Sequence, residues 1–332
     1  MASHRFTLCG VPVVVAFRDR ELQERVLGLW ARLLALLPDE GTNGARVAQV
    51  RIQFFGGFER PLRPAYEPHF TSPVLNVWRT ETGFHLFSGD SSIVLDTNSG
   101  TATAHIVDAF WASPLPHRRE LFFISMLMLL QPKGVHGLHA VGLVNSGVGV
   151  LIVGDSGAGK TTTGLALIRN GWSYLSDDAI GLRVMPGTNE VVAMALRRGF
   201  SCTREGWTAL STDTPADRDG YPLERDKWLI EMSDYVSGQQ AYDAVPSVIA
   251  FPVISNQRSS SIKMLNDTEG LLRLLPQSAG ITSQREYAQE QMAMLGKLAR
   301  QVKFCEFSAG HDVFDDPDHV SELFMDVAGG VQ

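Results

Sequence analysis

A glycine-rich run directly after an apolar segment constrains this 332-residue chain more than any other feature. Residues 154–161 read Gly-Asp-Ser-Gly-Ala-Gly-Lys-Thr, which fits G-x-x-x-x-G-K-[ST] at every position. An apolar run at 148–153 precedes it and a helical pattern follows, and this context makes the motif specific. Glycines let successive backbone N–H groups point at phosphate oxygens, and the helix N-terminus adds partial positive charge. The run therefore predicts a phosphate-binding loop, with Lys160 reaching the β- and γ-phosphates of ATP and Thr161 offering its hydroxyl to Mg²⁺.

Two adjacent carboxylates, Asp177 and Asp178, follow the next short β run at 172–175. The order strand, loop, helix, strand places the end of the second strand beside the phosphates, because ligands bind at the carboxyl ends of such strands. One carboxylate there can hold Mg²⁺, and a second can accept the proton of an attacking hydroxyl. A solvated turn after a strand is the alternative interpretation of the pair.

His139 lies in the β run before the loop, and the turn Asn145-Ser146-Gly147 predicts an antiparallel hairpin there. Such a hairpin would bring His139 to the same site, although most histidines in strands are structural.

Length and local pattern suggest two domains. Residues 1–112 combine short β runs with one helical period and hold no catalytic constellation, so we expect an α+β accessory domain. Residues 113–332 carry the phosphate loop and should form an α/β domain. The stretch 197–245 is polar and is interpreted as long loops with short helices.

Charge and apolar patterning limit the partners. A net charge of −7 argues against nucleic acid, because nucleic-acid-binding proteins usually carry a basic face. The longest apolar run, 121–130, is about half of the ~20 residues that a spanning helix needs, so it predicts a buried core helix and no membrane association. The first residues lack the apolar region of a signal peptide, and the three cysteines form no CxxC pair. We therefore expect a cytoplasmic protein with reduced thiols.

Residues 138–182, LHAVGLVNSGVGVLIVGDSGAGKTTTGLALIRNGWSYLSDDAIGL, resemble the core of the HPr kinase/phosphorylase family and, more loosely, the phosphoenolpyruvate carboxykinases. Both groups have a P-loop preceded by an antiparallel hairpin. The resemblance implies an α/β fold with an HPr kinase/PEP carboxykinase-like P-loop kinase domain. The rest of the chain resembles only the broader HPr-kinase-like group, which includes kinases of lasso-peptide precursors.

The resemblance also implies residue roles. Lys160, Asp177 and His139 would be catalytic, with Asp177 the general base and His139 near the γ-phosphate. Thr161 and Asp178 would serve Mg²⁺. ATP would contact Gly154, Asp155, Ser156, Gly157, Ala158, Gly159, Lys160, Thr161 and Thr162. The family's Glu-x-Arg-Gly-x-Gly signature, which is tied to reverse phosphorolysis, has no copy here, so a kinase is favoured.

Further cations should meet the transferring phosphoryl group, because its charge spreads over three oxygens. Arg197 and Arg198 are the first candidates and Arg225 and Lys227 the next, each with a solvated surface charge as the alternative.

These patterns predict an ATP-dependent kinase acting on a Ser or Thr hydroxyl of a peptide or protein, with a natural-product precursor peptide among the substrates considered. Two alternatives stay open. One is a nucleotide-sensing module without transfer, and the other is a small-molecule kinase with its acceptor pocket in 197–245. Oligomeric state is left open, with a homo-oligomer among the options.

Overall fold

The computed structural model describes residues 2–38, 49–57, 62–208, 221–222, 227–279 and 285–329. Contacts divide the chain into two compact units, Met1–Val135 and His136–Gln332. The sequence pattern placed the boundary at 112/113. The contact boundary falls later because the apolar helix that follows residue 112 packs against strands of the first unit.

The first unit is a nine-stranded mixed sheet with two helices. Its strands are β1 (Ala2–Leu8), β2 (Val11–Phe17), β3 (Leu37–Pro38), β4 (Val50–Gly56), β5 (Phe70–Thr71), β6 (Asn76–Arg79), β7 (Gly83–Ser88), β8 (Ser91–Asp96) and β9 (Thr101–Ile106). Its helices are α1 (Arg20–Leu33) and α2 (Leu115–Leu130). The strand order is β3-β1-β2-β4-β9-β8-β7-β6-β5, with β2, β4 and β9 parallel to one another. This combination of one mixed sheet and two helices agrees with the expected α+β character.

Helix α1 forms because its sequence combines a cap with one apolar stripe. The side chain of Asp19 accepts a hydrogen bond from the backbone N–H of Leu22 at 2.7 Å, which satisfies a free donor of the first turn. The buried residues of the helix, which include Trp30, recur at helical spacing. The Trp30 ring lies 5.6 Å from Phe54 of β4 and 5.8 Å from Phe122 of α2, centroid to centroid. These three rings join both helices to the sheet.

Helix α2 contains the apolar run 121–130 and is buried along most of its length, as the sequence predicted. Within the described ranges, no helix is long and apolar enough to cross a bilayer.

The second unit holds three sheets and seven helices within the described residues. Its strands are β10 (His136–Leu138), β11 (Ala140–Asn145), β12 (Val148–Val153), β13 (Ser173–Ser176), β14 (Ile180–Val184), β15 (Val191–Ala195), β16 (Gly199–Thr203), β17 (Tyr221–Pro222), β18 (Lys227–Glu231), β19 (Asp243–Ala244), β20 (Pro246–Ile254), β21 (Ser261–Leu265) and β22 (Lys303–Ala309). Its helices are α3 (Lys160–Arg169), α4 (Arg204–Thr208), α5 (Asp267–Leu274), α6 (Pro276–Ala279), α7 (Arg285–Ala299), α8 (Asp312–Asp315) and α9 (Pro317–Gly329).

The six-stranded sheet of this unit has the order β13-β11-β12-β20-β22-β21. Strands β12, β20 and β22 are parallel, and β11 is antiparallel to both β12 and β13. Strands β12 and β13 therefore run the same way, and their carboxyl ends meet at one edge. This arrangement confirms the α/β fold class and the β11–β12 hairpin.

Helix α3 packs closely on this sheet. A Cβ added to Gly164 would lie 2.8 Å from Cγ1 of Val141 in β11, so the absence of a side chain permits the close approach. Leu165 and Ile168 of the same helix are fully buried. The helix that follows the phosphate loop is thereby fixed against the strands that flank the loop.

Two expectations about strands were wrong. The run 138–144 is not one strand, because β10 pairs with β14 in a second sheet while β11 pairs with β12, and the chain changes sheets at His139. The sequence predicted no strands in 197–245, whereas β16 and β18 lie there and pair in a third sheet; residues 209–220 and 223–226 of that stretch lie outside the described residues. The pairing of β16 with β18 joins segments far apart in sequence, so no local turn signal announces it.

Candidate active site

The phosphate loop lies between β12 and α3, and its backbone has the conformations that its glycines were predicted to supply. Gly157 has φ +88° and Gly159 has φ +96°, values that a residue with a Cβ rarely adopts. Gly159 is also the N-cap residue of α3. The free N–H groups of the first helical turn therefore follow directly on the loop, which is a suitable arrangement for an anion.

Lys160 folds back over the loop. Its Nζ donates to the carbonyl oxygens of Gly154 at 2.7 Å and Asp155 at 3.0 Å, and the residue is only 6% exposed. Burial lowers the pKa of Lys160, while the negative charges of Asp178 and Asp177 oppose that change. The ammonium group is thus held at the loop and can exchange carbonyl partners for phosphate oxygens.

Asp177 follows β13 and is 1% exposed. Its Oδ1 accepts from the hydroxyl of Thr161 at 3.0 Å, and its Oδ2 accepts from the backbone N–H of Ser201 at 2.7 Å. Burial raises the pKa of Asp177, and the charge of Asp178 adds to the effect, bringing it to about 6. Because burial and a neighbouring negative charge both disfavour the ionised form of Asp177, a bound cation would stabilise it.

Asp178 is the accessible member of the pair, with 37% of its side chain exposed. Its backbone is left-handed, with φ 69°, and its side chain turns away from that of Asp177 to other partners. It accepts hydrogen bonds from Nε2 of His139 and, at 3.5 Å, from Nη1 of Arg197. Burial disfavours its charge, but the His139 hydrogen bond and the Arg197 charge together hold the pKa of Asp178 below its usual value.

The structure brings most of the sequence-predicted residues to one place: the loop with Lys160 and Thr161, both aspartates, His139 and Arg197. The partners differ from those expected in one respect. The family resemblance assigned Thr161 and Asp178 to Mg²⁺, whereas the carboxylate hydrogen-bonded to Thr161 is that of Asp177.

The remaining candidates lie around this group. Arg198 places its Nε 3.8 Å from Oε1 of Glu231 in β18. Thr162, on the first turn of α3, lies on the side of α4, where a Cβ added to Gly206 would be 3.7 Å from its hydroxyl. Lys227, at the start of β18, pairs with Thr203 of β16. Its positive charge adds to the lowering of the Lys160 pKa by burial. Arg225 lies outside the described residues.

Two contributors to the site carry no sequence signal. Ser201 acts through its backbone N–H, which any residue except proline has. Gln277 of α6 donates from Nε2 to Oδ1 of Asp155 at 2.8 Å and faces Nδ1 of His139 with Oε1 at 3.2 Å. No motif marks a glutamine 122 residues beyond the loop.

The donor set fits a magnesium–nucleotide complex. Within the parts of the chain that the structure describes, no three His, Cys, Asp or Glu residues are grouped to hold a metal alone. Mg²⁺ that accompanies a nucleotide takes one or two protein oxygens and fills its shell with phosphates and water. The hydroxyl of Thr161 and the two carboxylates are hard oxygen donors of that kind.

Comparison with known proteins locates the chain among its relatives, although no family model matches it. The HPr kinase/phosphorylase of Clostridium botulinum (strain Eklund 17B / Type B) is 47% identical over 51 residues, which are 15% of this chain and 17% of that protein. The HPr kinase/phosphorylase of Limosilactobacillus reuteri (strain DSM 20016) is 54% identical over 55 residues, 17% of each chain. A short segment of this chain is therefore similar to HPr kinase/phosphorylases.

The similarity of this chain to these proteins is local. The HPr kinase/phosphorylase of Azoarcus sp. (strain BH72) is 35% identical over 81 residues, 24% of this chain and 26% of that protein. The matches to these three curated relatives thus span from 17% to 26% of the relatives' length. The solved structure of the Hpr(Ser) kinase/phosphatase from Coxiella burnetii aligns with a TM-score of 0.31 at 15% identity, covering 57% of this chain and 89% of that one.

Proposed function

We propose that this HPr-kinase-like chain is a cytoplasmic, ATP-dependent kinase that transfers the γ-phosphoryl group to a Ser or Thr hydroxyl of a peptide or protein. One observation carries the proposal: the phosphate loop, the Thr161–Asp177 hydrogen bond and the accessible Asp178 meet at one edge of the sheet. A loop alone would bind a nucleotide. A solvent-reachable carboxylate beside it adds a group that can receive a proton from an acceptor.

The loop side of the site would bind and orient the nucleotide. Backbone N–H groups of 154–161 and the ammonium of Lys160 bind phosphate oxygens, and Thr161 with Asp177 holds the metal or its waters. Bound Mg²⁺ supplies charge neutralisation to the phosphoryl group in transfer. This gives Asp177 the metal-side role that the family resemblance assigned to Asp178. It is supported by the contact with Thr161 and by burial, since a carboxylate that is only 1% exposed is poorly placed to reach an acceptor.

Asp178 would then face the acceptor. The acceptor hydroxyl donates to Asp178, which takes its proton as the acceptor oxygen bonds to the γ-phosphorus. The bond from the γ-phosphorus to the β–γ bridging oxygen breaks in the same step, and ADP leaves. The lowered pKa of Asp178 makes it a weak base. A weak base suffices, because phosphoryl transfer has a loose transition state and depends mainly on positioning and charge. His139 orients Asp178, and Arg197 holds its second oxygen.

The acceptor class rests on the relatives. The names of these relatives denote action on HPr, which is a protein, and we extend only that class of acceptor to this chain. A natural-product precursor peptide remains one candidate within the class.

The test is transfer of label from γ-³²P-ATP with Mg²⁺ to HPr, to Ser- and Thr-containing peptides and to free serine and sugars. Label on Ser or Thr of a peptide or protein is the expected result, and it should disappear with Lys160→Ala. Label on a free small molecule would replace the proposal with the small-molecule kinase. Magnesium-dependent ATP binding without transfer to any acceptor would replace it with the sensor.

A further inference from the structure

We propose that Gln277 is a positioning residue that couples the phosphate loop to His139, and through His139 to Asp178. The proposal rests on the function proposed above and extends it to a residue outside every motif of the sequence. The side chain of Gln277 hydrogen-bonds to Asp155 and His139, and through these two residues it acts on the site.

The two partners of the Gln277 side chain fix the orientation of its amide group. Asp155 presents a carboxylate oxygen 2.8 Å from one amide atom, and a carboxylate only accepts. That atom must therefore be the NH₂ nitrogen, and the amide oxygen must face Nδ1 of His139 at 3.2 Å. An amide oxygen has no hydrogen to give, so Nδ1 carries one.

The orientation of the Gln277 amide in turn sets the orientation of the His139 ring. With Nδ1 donating to Gln277, the ring presents Nε2 to Asp178 on its opposite side. Asp178 is held in turn by Arg197 at 3.5 Å. A chain of polar contacts thus runs from Asp155 in the loop through Gln277 and His139 to the accessible carboxylate.

Gln277 is itself held in place by the main chain. Its carbonyl oxygen accepts from the backbone N–H of His139 at 3.0 Å, so the two residues are joined by main chain as well as side chain. Gln291 of α7 holds the same segment from another side, donating to the carbonyl oxygen of Gly137 at 3.1 Å and contacting Nδ1 of His136 at 3.1 Å. The segment 136–139 is therefore clamped by α6 and α7, which gives Gln277 a firm base.

This arrangement makes the acceptor side of the site sensitive to the state of the loop. Asp155 belongs to the loop that closes on phosphate, and a change in its side chain position alters the partner that orients the Gln277 amide. If Asp155 withdraws, the amide is free to rotate and His139 loses the contact that sets its direction. Gln277 thereby connects nucleotide binding with the placement of Asp178.

The test uses ¹⁵N NMR of histidine side chains in the full chain without nucleotide, at one fixed pH, with the His139 signals assigned by His139→Gln. Gln277→Ala should shift the Nδ1 resonance of His139. Asp155→Ala, a change that does not touch His139, should shift the same resonance, whereas Asp155→Asn should not, because its amide oxygen can still accept from Gln277. The resonances of His136 serve as an internal control for folding. An unchanged His139 spectrum in Asp155→Ala with an unchanged His136 signal overturns the coupling.

A kinetic arm uses the acceptor that the labelling experiment identifies. Gln277→Ala should lower kcat by as much as about 100-fold while KM for ATP changes little, because the residue positions the acceptor-side groups. In a double-mutant cycle, the loss of kcat on combining Gln277→Ala with Asp155→Ala should be smaller than the two single losses taken together, since both changes interrupt one chain of contacts. Fully additive losses, or a loss confined to KM, contradict the proposal. The NMR experiment does not require activity. Failure of the chain to bind ATP would therefore contradict the proposed function, while the coupling through Gln277 would still be tested by the His139 resonances.

Discussion

The hydroxyl of Thr161 donates to Oδ1 of Asp177 at 3.0 Å, which joins the first turn of α3 to the end of β13. The backbone N–H of Ser201 donates to the second oxygen, so each oxygen of the Asp177 carboxylate has a protein donor. The charge of this buried carboxylate is therefore fixed beside the start of the helix that follows the loop, where a nucleotide-bound Mg²⁺ would lie.

Replacing Thr161 by valine keeps the volume and removes the hydroxyl. Asp177 then loses a buried partner, so we expect the free energy of unfolding to fall by about 1–3 kcal/mol. ATP affinity should also lose its dependence on Mg²⁺. Calorimetric titration with and without Mg²⁺ measures this, and Thr161→Ser, which keeps the hydroxyl, should behave as wild type. Equal magnesium dependence in the valine variant would contradict the placement of the metal.

Asp177→Asn should change how stability depends on pH. The raised pKa means that the native state holds a proton on Asp177 that the unfolded state has already released, so stability falls as pH rises from about 4 to about 6. The asparagine variant lacks this loss and, without nucleotide, should be more stable than wild type at pH 7 by up to about 3 kcal/mol. Urea unfolding across pH 4 to 7 checks the sign. A difference that grows toward low pH would refute it.

Asp177→Asn and Asp178→Asn should separate binding from transfer. We expect the change at Asp177 to weaken magnesium-dependent ATP binding. The change at Asp178 should leave ATP affinity within about threefold and lower transfer by about 10²–10⁴-fold, the range typical of general acid–base groups. Titration and labelled transfer on the same preparations measure both. The opposite pattern would restore the roles that the family resemblance implies.

Lys160→Met removes the ammonium and keeps an unbranched side chain that suits a buried position. Loss of a charged hydrogen bond to phosphate costs about 1.5–3 kcal/mol, so ATP affinity should fall by about 10- to 150-fold. Lys263→Ala, on the exposed part of β21, is the matched control and should bind as wild type. Equal affinity in the two variants would remove Lys160 from the nucleotide site.

Gly270→Ala tests packing away from the site. A Cβ added there would overlap the ring of Phe304, so the gain in helix propensity should be outweighed and stability should fall by about 1–3 kcal/mol. Gly28→Ala in α1 has open space around the added carbon and should raise stability by about 0.5–1 kcal/mol. Thermal unfolding of both variants compares the two effects, and a stabilised Gly270→Ala would show that helix α5 has room to move.

Local pattern predicted a large part of this structure. The phosphate loop, the β11–β12 hairpin and the buried α2 were all predicted, because each depends on residues close in sequence: positive-φ glycines, a tight turn at Ser146-Gly147 and a continuous apolar run. The break at His139 and the β16–β18 pairing were not legible. Both depend on strands that pair with distant segments of the chain, β10 with β14 and β16 with β18.

The sequence by itself determined that a phosphate loop exists and which residue types surround it, since that chemistry is written in consecutive positions from Gly154 to Thr161. Only the tertiary structure decided the partners. Thr161 bonds Asp177 rather than its neighbour, and Gln277 reaches both Asp155 and His139. The reason is physical: a hydrogen bond between distant residues depends on how helices and strands pack, and the side-chain directions of two adjacent aspartates are set by a backbone bend that their identity does not reveal.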